Sequence, residues 1–206
     1  MFARSTTIMG DPSTLDDGIA YVRDDAMPQV TGMEGCLGLS MMVDRESGQC
    51  IVTSSWDRED AMRASDLHLA PVRTRAGELI GGMPQVEEWE VAVMHRDHAA
   101  PAGACCRATW LRTDHESLDK GIDLFRMALL PRLEALPGFC SASVLVNRER
   151  ARACVTITFD SATDMEASRD EAWAIRDVGV RDSGVDVLDV AEFELALAHL
   201  RVPEMA

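Results

Sequence analysis

Ser65 and His68 are the residues of this sequence whose types and spacing best fit a small proton-transfer site. They lie three residues apart in a segment of helical apolar spacing, so both side chains are expected on one face of a helix. A histidine that titrates near neutral pH is a natural general base for a phenolic or enolic proton. We therefore predict Ser65 and His68 as candidate catalytic residues.

Arg4 and Arg107 are the second pair of candidates, because each interrupts a strand of apolar and hydroxyl-bearing residues. A guanidinium on the buried face of a strand needs a partner. Glu90 and Glu194, at matching points of two later strands, are the predicted partners. Alternatively, each arginine orients an anionic or enolate ligand. The sequence leaves both roles open.

Five further residues are predicted to contact a ligand: Trp56, Ser168, Trp173, His95 and His199. The two histidines end predicted strands, where a purely structural role also fits them. The tryptophan at position 56 equally suits a packed core. The sequence does not choose between a ligand contact and a structural role for these residues.

The chain lacks the spacings that hold common cofactors. No cysteine and histidine spacing typical of zinc occurs, and no glycine-rich phosphate loop or Ser-His-Asp arrangement is present. The six cysteines, mostly in apolar runs, are predicted to be reduced and buried. We therefore predict no metal and no cofactor.

Charge and composition exclude several classes of protein. The chain has 206 residues and a formal net charge of −15. Such an acidic surface disfavours nucleic acid and anionic membranes as partners, because both are bound mainly by basic side chains. No apolar run reaches the roughly 20 residues of a membrane span, and no signal peptide is evident. These features predict a soluble, cytoplasmic protein.

The sequence contains an internal repeat with a shift of 103 residues, which aligns Arg4 with Arg107 and Pro28 with Pro131. Roughly a third of about sixty ungapped positions are identical, so we infer a tandem duplication. The predicted divisions are repeat 1 (1–97), a linker (98–103), repeat 2 (104–200) and a tail (201–206).

Each repeat has the predicted order β-α-β-β-α-β, which is the ferredoxin-like unit of the α+β class. Each would leave an apolar sheet face uncovered. Two tandem ferredoxin-like repeats in one chain can cover these faces by forming a barrel, so we predict a pseudo-dimer of the dimeric α+β barrel type.

The sequence resembles the antibiotic biosynthesis monooxygenase (ABM) family in both repeats. In repeat 1 the resemblance rests on Pro28, Gly35, Cys36, Leu37, Gly38, Trp56, Asp57, Ala61, Met62 and Ala64. In repeat 2 it rests on Pro131, Gly138, Phe139, Cys140, Phe159, Asp160, Met165 and Ala167. The resemblance implies a dimeric α+β barrel with a ligand pocket between the sheet and helices of each half. Haem-degrading members are similar to one another in a helical Trp and an iron-binding His, where this chain has Ser65 and Arg75.

Two functions remain open from the sequence. The resemblance implies a cofactor-independent monooxygenase that acts on a small aromatic substrate of the quinol or anthrone type. The alternative is a non-catalytic small-ligand-binding or stress-related barrel, and haem degradation is disfavoured. The expected partner is a small aromatic or apolar ligand. The expected assembly is a monomer with an internal pseudo-twofold axis or a homodimer of such chains.

Overall fold

A computed structural model describes residues 1–200, apart from the side chain of the last of them, so the predicted tail 201–206 lies outside the described residues. The strands are β1 (Phe2–Met9), β2 (Cys36–Val43), β3 (Gln49–Trp56), β4 (Gln85–Arg96), β5 (Cys105–Arg112), β6 (Phe139–Asn147), β7 (Arg152–Phe159) and β8 (Asp186–Leu200). The α-helices are α1 (Leu15–Tyr21), α2 (Met27–Thr31), α3 (Glu59–Ala64), α4 (Asp66–Ile80), α5 (Leu118–Leu124), α6 (Leu130–Glu134), α7 (Ala162–Ala167) and α8 (Arg169–Ser183).

The eight strands are hydrogen-bonded in the order β1-β3-β2-β8-β5-β7-β6-β4, which forms a closed antiparallel barrel. Together with the helices, this order confirms the predicted α+β class and is consistent with a dimeric α+β barrel pseudo-dimer. Among the described residues, no helix has both the length and the apolar character needed to cross a membrane.

The chain divides into two compact units. Unit 1 contains residues 1–89 and 193–200, and unit 2 contains residues 90–192. These bounds divide β4 and β8, whereas the repeats predicted from the sequence keep each strand whole. The predicted boundaries at 97 and 104 therefore describe the sequence pattern, and they stay a prediction.

Unit 1 has an apolar core between its strands and helices. β1 pairs antiparallel with β3, β3 with β2, and β2 with the last part of β8. Alternation along each strand sends one set of side chains inward. Ile8, Leu15, Trp56, Met62 and Ile80 are all fully buried in this core.

Unit 2 repeats this arrangement around its own apolar core. β5 pairs with β7, β7 with β6, and β6 with the part of β4 that begins at Glu90. The core includes Phe125, Leu133, Phe159 and Ile175. Burial of these large apolar side chains is the main favourable contribution to the folding of each unit.

The first helical stretch of each unit widens into one π-helical turn, at Val22–Ala26 and at Phe125–Leu129. Each turn is followed by a short helix with a proline in its first turn, Pro28 or Pro131. Proline lacks an N–H group, and its ring collides with the carbonyl four residues earlier in a regular α-helix. That carbonyl lies inside the π-helical turn in both units, which explains the position of the widening.

Candidate functional site

The buried arginine of unit 1 is held by three oxygen-bearing side chains. Arg4 is 3% exposed, and its Nη2 lies 2.6 Å from Oε1 of Glu88. Its Nη1 donates to Oγ of Ser65 at 3.2 Å and lies 3.6 Å from the carboxylate of Asp66. The predicted partner Glu90 is wrong, because Glu90 instead pairs with Arg148 in unit 2 at 2.6 Å.

The buried arginine of unit 2 has different hydrogen-bond partners. Arg107 is 3% exposed, and its Nη2 lies 2.7 Å from Oε1 of Glu192 and donates to the carbonyl of Met165 at 3.2 Å. Its buried Nη1 has no hydrogen-bond partner among the described residues. Ser168 donates to the carbonyl of Pro137 at 3.2 Å. Thus Ser168 does not repeat the contact that Ser65 makes with its arginine.

The predicted partner of Arg107 is also wrong. Glu194 forms an ion pair with Arg45, with Nε and Oε2 2.7 Å apart. Glu192 and Glu194 are two positions apart on β8, so the alternation along a strand predicts that both side chains point to the same face of the sheet. The tertiary structure alone decides which glutamate reaches which arginine.

A groove of about 320 Å³ in unit 1 brings three predicted site residues together, Trp56, Ser65 and His68. Trp56 is fully buried and donates from Nε1 to Oγ of Ser54 at 3.0 Å. Ser65 is buried and donates to the carbonyl of Met62 at 2.7 Å, while His68 is exposed. The groove therefore has an imidazole at its rim and a hydroxyl at its floor, and the catalytic role of both remains a prediction.

The other predicted ligand contacts lie apart from this groove. The half-buried His95 places Nε2 2.6 Å from a carboxylate oxygen of Glu134 and stacks on Phe139. His199 is exposed near the end of β8. Trp173 is 39% exposed, and two guanidinium groups lie over its ring at 5.5 and 5.7 Å. These contacts favour structural roles for His95 and Trp173, and the ligand contact of His199 stays a prediction.

Unit 2 contains a cavity of about 100 Å³ between its sheet and its helices, where the family resemblance implied a pocket, but neither Ser168 nor Trp173 lines it. Its sheet wall includes Thr109, Leu111, Val144, Val146, Ala153, Val155 and Ile157. Its helix wall includes Leu118, Gly121, Ile122, Phe125, Leu129, Ala172, Ile175, Gly179 and Ser183. The walls are predominantly apolar, and the matching cavity of unit 1 is only about 50 Å³.

One substitution between the repeats explains much of the larger cavity. Ile80 in unit 1 is fully buried and packs against Gly18 of α1. The residue 103 positions later is Ser183, which donates back to the carbonyl of Gly179 at 2.5 Å and fills less space. The sequence signal was present in the repeat alignment, but only the packing shows that this position faces a cavity.

Thr113 supplies the cavity with an unusual polar group. Thr113 lines the cavity, and its Oγ1 is buried without a hydrogen-bond partner among residues 1–200. Its backbone N–H is satisfied by the carbonyl of Ala151 at 2.9 Å, so the orphan group is the hydroxyl alone. A buried hydroxyl without a partner costs about 1–3 kcal/mol.

The cysteines form no disulfide among the described residues and are poor nucleophiles where they are deeply buried. Burial raises the pKa of Cys106 to about 12 and that of Cys50 to about 11. The thiol is the unreactive form of cysteine, since the thiolate is the nucleophile. Neither side chain is a candidate for nucleophilic catalysis.

Comparisons with known proteins identify relatives over the full chain. No family model matches the sequence. The uncharacterized protein Rv2557 of Mycobacterium tuberculosis strain H37Rv is 51% identical over 205 residues, which cover 100% of this chain and 92% of the relative. The uncharacterized protein Rv2558 of the same strain is 50% identical over 206 residues, which cover 100% of this chain and 87% of the relative.

Solved structures share the fold at low sequence identity. An anthrone oxidase-like protein superposes with a TM-score of 0.69 and 16% identity, over 100% of this chain and 95% of its own. A ferredoxin-fold protein of Listeria monocytogenes, described as related to antibiotic biosynthesis monooxygenases, gives a TM-score of 0.53 and 10% identity, over 94% of each chain. These neighbours support an ABM-like barrel fold.

Proposed function

We propose that this chain, which belongs to one family with the Mycobacterium tuberculosis proteins Rv2557 and Rv2558, binds a small aromatic or apolar molecule in the apolar cavity of unit 2. The observation that carries this proposal is the apolar cavity with the orphan hydroxyl of Thr113. An apolar pocket with a few polar groups is the usual form of a small-molecule site.

The cavity dimensions and chemistry limit the ligand. A cavity of roughly 150 Å³ holds benzene in an engineered protein, so the cavity of about 100 Å³ suits at most one small ring. A hydroxyl on that ring would give Thr113 the hydrogen bond that no residue among 1–200 supplies. The geometry therefore favours phenol-like ligands over purely apolar ones.

Two small probes and one substitution test the binding function. Phenol and toluene are titrated against the native chain, and binding is followed by chemical shifts of unit 2 residues and by thermal stability. We expect phenol to bind more tightly than toluene. Ser183→Ile, which installs the residue found at the matching position of unit 1, is expected to fill the cavity and abolish binding of both.

A second substitution separates the role of the hydroxyl from that of the cavity. Thr113→Val keeps the shape of the side chain and removes the orphan group, so it is expected to abolish the preference for phenol. Arg112→Ala, at an exposed neighbour, is the control and is expected to change neither affinity. Binding of phenol that survives Ser183→Ile unchanged would contradict the cavity assignment.

Cofactor-independent oxygenation of a larger aromatic is a second candidate function, supported by the groove in unit 1. At about 320 Å³ this groove has room for a multi-ring substrate, and His68 and Ser65 both line it. In such a reaction His68 would take the acidic proton of an anthrone. The resulting carbanion would then react with O₂, so that one CH₂ group becomes a carbonyl and the second oxygen atom leaves as water.

Oxygen uptake in the presence of anthrones and quinols tests this second function. We expect His68→Ala to reduce the rate about 100-fold or more, the usual range for a general base. His115→Ala, which removes another exposed histidine, is the control. Uptake equal in the native chain and in His68→Ala would refute a base role for this residue.

Matched contacts also support the proposal that the chain arose by tandem duplication. Thr6 pairs with Val52 across β1 and β3, and the residues 103 positions later, Thr109 and Val155, pair across β5 and β7. The two buried arginines likewise occupy equivalent strand positions. Independent origins of the two halves would not be expected to reproduce both the register and the buried charge.

A further inference from the structure

Three metal-ligating side chains converge in unit 2, apart from the residues that line the apolar cavity. They are His98, just beyond β4, Cys140 of β6, and Asp160, just beyond β7. One ligand atom from each lies within 4.8 Å of the other two. We propose that the His98–Cys140–Asp160 cluster is a zinc-binding site.

The donor atoms match zinc better than other common divalent ions. Zinc accepts imidazole nitrogen, thiolate sulfur and carboxylate oxygen at about 2.0–2.3 Å in tetrahedral geometry. Calcium and magnesium prefer sites made of oxygen alone. A thiolate among three different donors therefore selects zinc, or cobalt as its spectroscopic substitute.

The present distances require only small movements. Nε2 of His98 and Oδ1 of Asp160 are 2.7 Å apart. In a tetrahedral zinc site, donor atoms are separated by roughly 3.5 Å, as the bond lengths dictate. An ion would thus push these two atoms apart by less than an ångström and draw the sulfur toward them. Side-chain rotation is sufficient for such shifts.

The imidazole is already oriented for this role. Nδ1 of His98 lies 2.8 Å from a carboxylate oxygen of Asp97. Metal-ligating histidines commonly donate their second nitrogen to a carboxylate, which fixes the ring and leaves the first nitrogen for the metal. The backbone is also held, because the N–H of Asp97 donates to the carbonyl of Cys140 at 3.0 Å.

The exposure of two of the three residues provides an entry path for the ion. His98 and Asp160 have side chains 42% and 34% exposed, whereas Cys140 is 1% exposed. The sulfur would therefore be the inner ligand and water the fourth ligand on the open side. On binding, the Cys140 thiol proton leaves to solvent.

Unit 1 lacks this arrangement at the corresponding positions, although it keeps the aspartate. Asp57 matches Asp160 but lies 3.3 Å from a guanidinium nitrogen of Arg58. The residue that matches Cys140 is Leu37. Within the described part of the chain, no second group of three such ligands is found. The site is thus specific to unit 2.

Metal titration of the tag-free full-length chain tests the proposal. We expect Zn²⁺ to bind with one-to-one stoichiometry in calorimetry, and Co²⁺ to give a near-ultraviolet sulfur-to-cobalt charge-transfer band. Cys140→Ser is expected to abolish that band, and Asp160→Asn to weaken Zn²⁺ binding strongly. Asp97→Asn, which removes the orienting carboxylate, is expected to weaken binding by about 10- to 100-fold.

Matched controls make each outcome decisive. Cys154→Ser changes another cysteine of unit 2, and His115→Ala changes an exposed histidine, so neither is expected to alter the affinity or the cobalt spectrum. If Cys140→Ser fails to fold, the exposed ligand variants His98→Gln and Asp160→Asn still decide the question. Absence of one-to-one binding, a cobalt spectrum without the sulfur band, or equal affinity in the ligand variants would overturn the proposal.

Discussion

At the scale of single residues, the two buried arginines depend strongly on their glutamates. Arg107 is 3% exposed and Glu192 29%, whereas Arg45 and Glu194 are both well exposed. Loss of one partner leaves a buried charge uncompensated, but an exposed pair contributes little because water screens it. The ion pairs formed by these two glutamates of β8 are therefore expected to differ greatly in their contribution to the free energy of unfolding.

Glu192→Ala is expected to lower the free energy of unfolding on the order of 3 kcal/mol. Glu194→Ala, two positions further along β8, is expected to lower it by less than about 1 kcal/mol. Urea denaturation of both variants measures the difference. Equal losses would show that Arg107 finds other compensation.

Thiol reactivity provides a second residue-scale prediction, because burial separates two adjacent cysteines. Cys105 is half-buried, whereas Cys106 is buried and its pKa is raised to about 12. At pH 8 only about one Cys106 side chain in ten thousand is ionised. Iodoacetamide is expected to label Cys105 first, and peptide mass spectrometry detects the order. Early labelling of Cys106 would indicate that its strand opens readily.

At the scale of elements, one glycine in each unit reports how closely two helices pack. A Cβ added at Gly18 would lie 2.7 Å from Cδ1 of Ile80. A Cβ added at Gly121 would find its nearest neighbour, Cβ of Ser183, at 3.9 Å. The helices of unit 1 are thus in tight contact where those of unit 2 leave space.

The same substitution is therefore expected to have opposite effects in the two units. Gly121→Ala is expected to raise the free energy of unfolding by up to about 1 kcal/mol, because alanine favours a helix more than glycine does. Gly18→Ala is expected to lower it by about 1–3 kcal/mol through overpacking against Ile80. Thermal denaturation of both variants checks the signs, and a gain in Gly18→Ala would contradict the packing.

At the scale of the whole molecule, each compact unit contains chain from both predicted repeats. Residues 193–200 of repeat 2 belong to unit 1, where β8 pairs with β2 over Gly38–Val43. Residues 90–96 of repeat 1 belong to unit 2, where β4 pairs with β6. Neither repeat alone therefore contains a complete unit.

Separate fragments test whether each unit needs chain from both repeats. The fragment 1–97 lacks the strand that pairs with β2, so its sheet would have an unpaired edge, which favours association. We expect fragments 1–97 and 104–206 each to be less stable than the full chain or to self-associate. An equimolar mixture should regain the stability of the native protein, as circular dichroism and sedimentation would show. Two stable monomeric fragments would contradict the division into units.

The candidate site was only partly predictable from the sequence. The helical spacing of Ser65 and His68 correctly placed both beside one groove, because neighbours three residues apart share a helix face. The choice of Glu90 as the partner of Arg4 was wrong, because Glu88 and Glu90 share a strand face and only the cross-strand register selects between them. The resemblance implied a pocket between the sheet and helices of unit 2, but the residues that line it, Thr113 and Ser183 among them, were missed, since a sequence pattern does not show how much space surrounds a side chain.

The class of the fold and the order of its elements could be predicted from the sequence, because apolar periodicity, prolines and polar turns act locally along the chain. The sequence also showed that Arg4 and Arg107 would need partners, since a strand of apolar neighbours cannot leave a charge unpaired. The folded chain alone shows which glutamates pair with the two arginines and that Cys140 and Asp160 lie close to His98. Those outcomes depend on strand register and packing between segments distant in sequence, which no local pattern encodes.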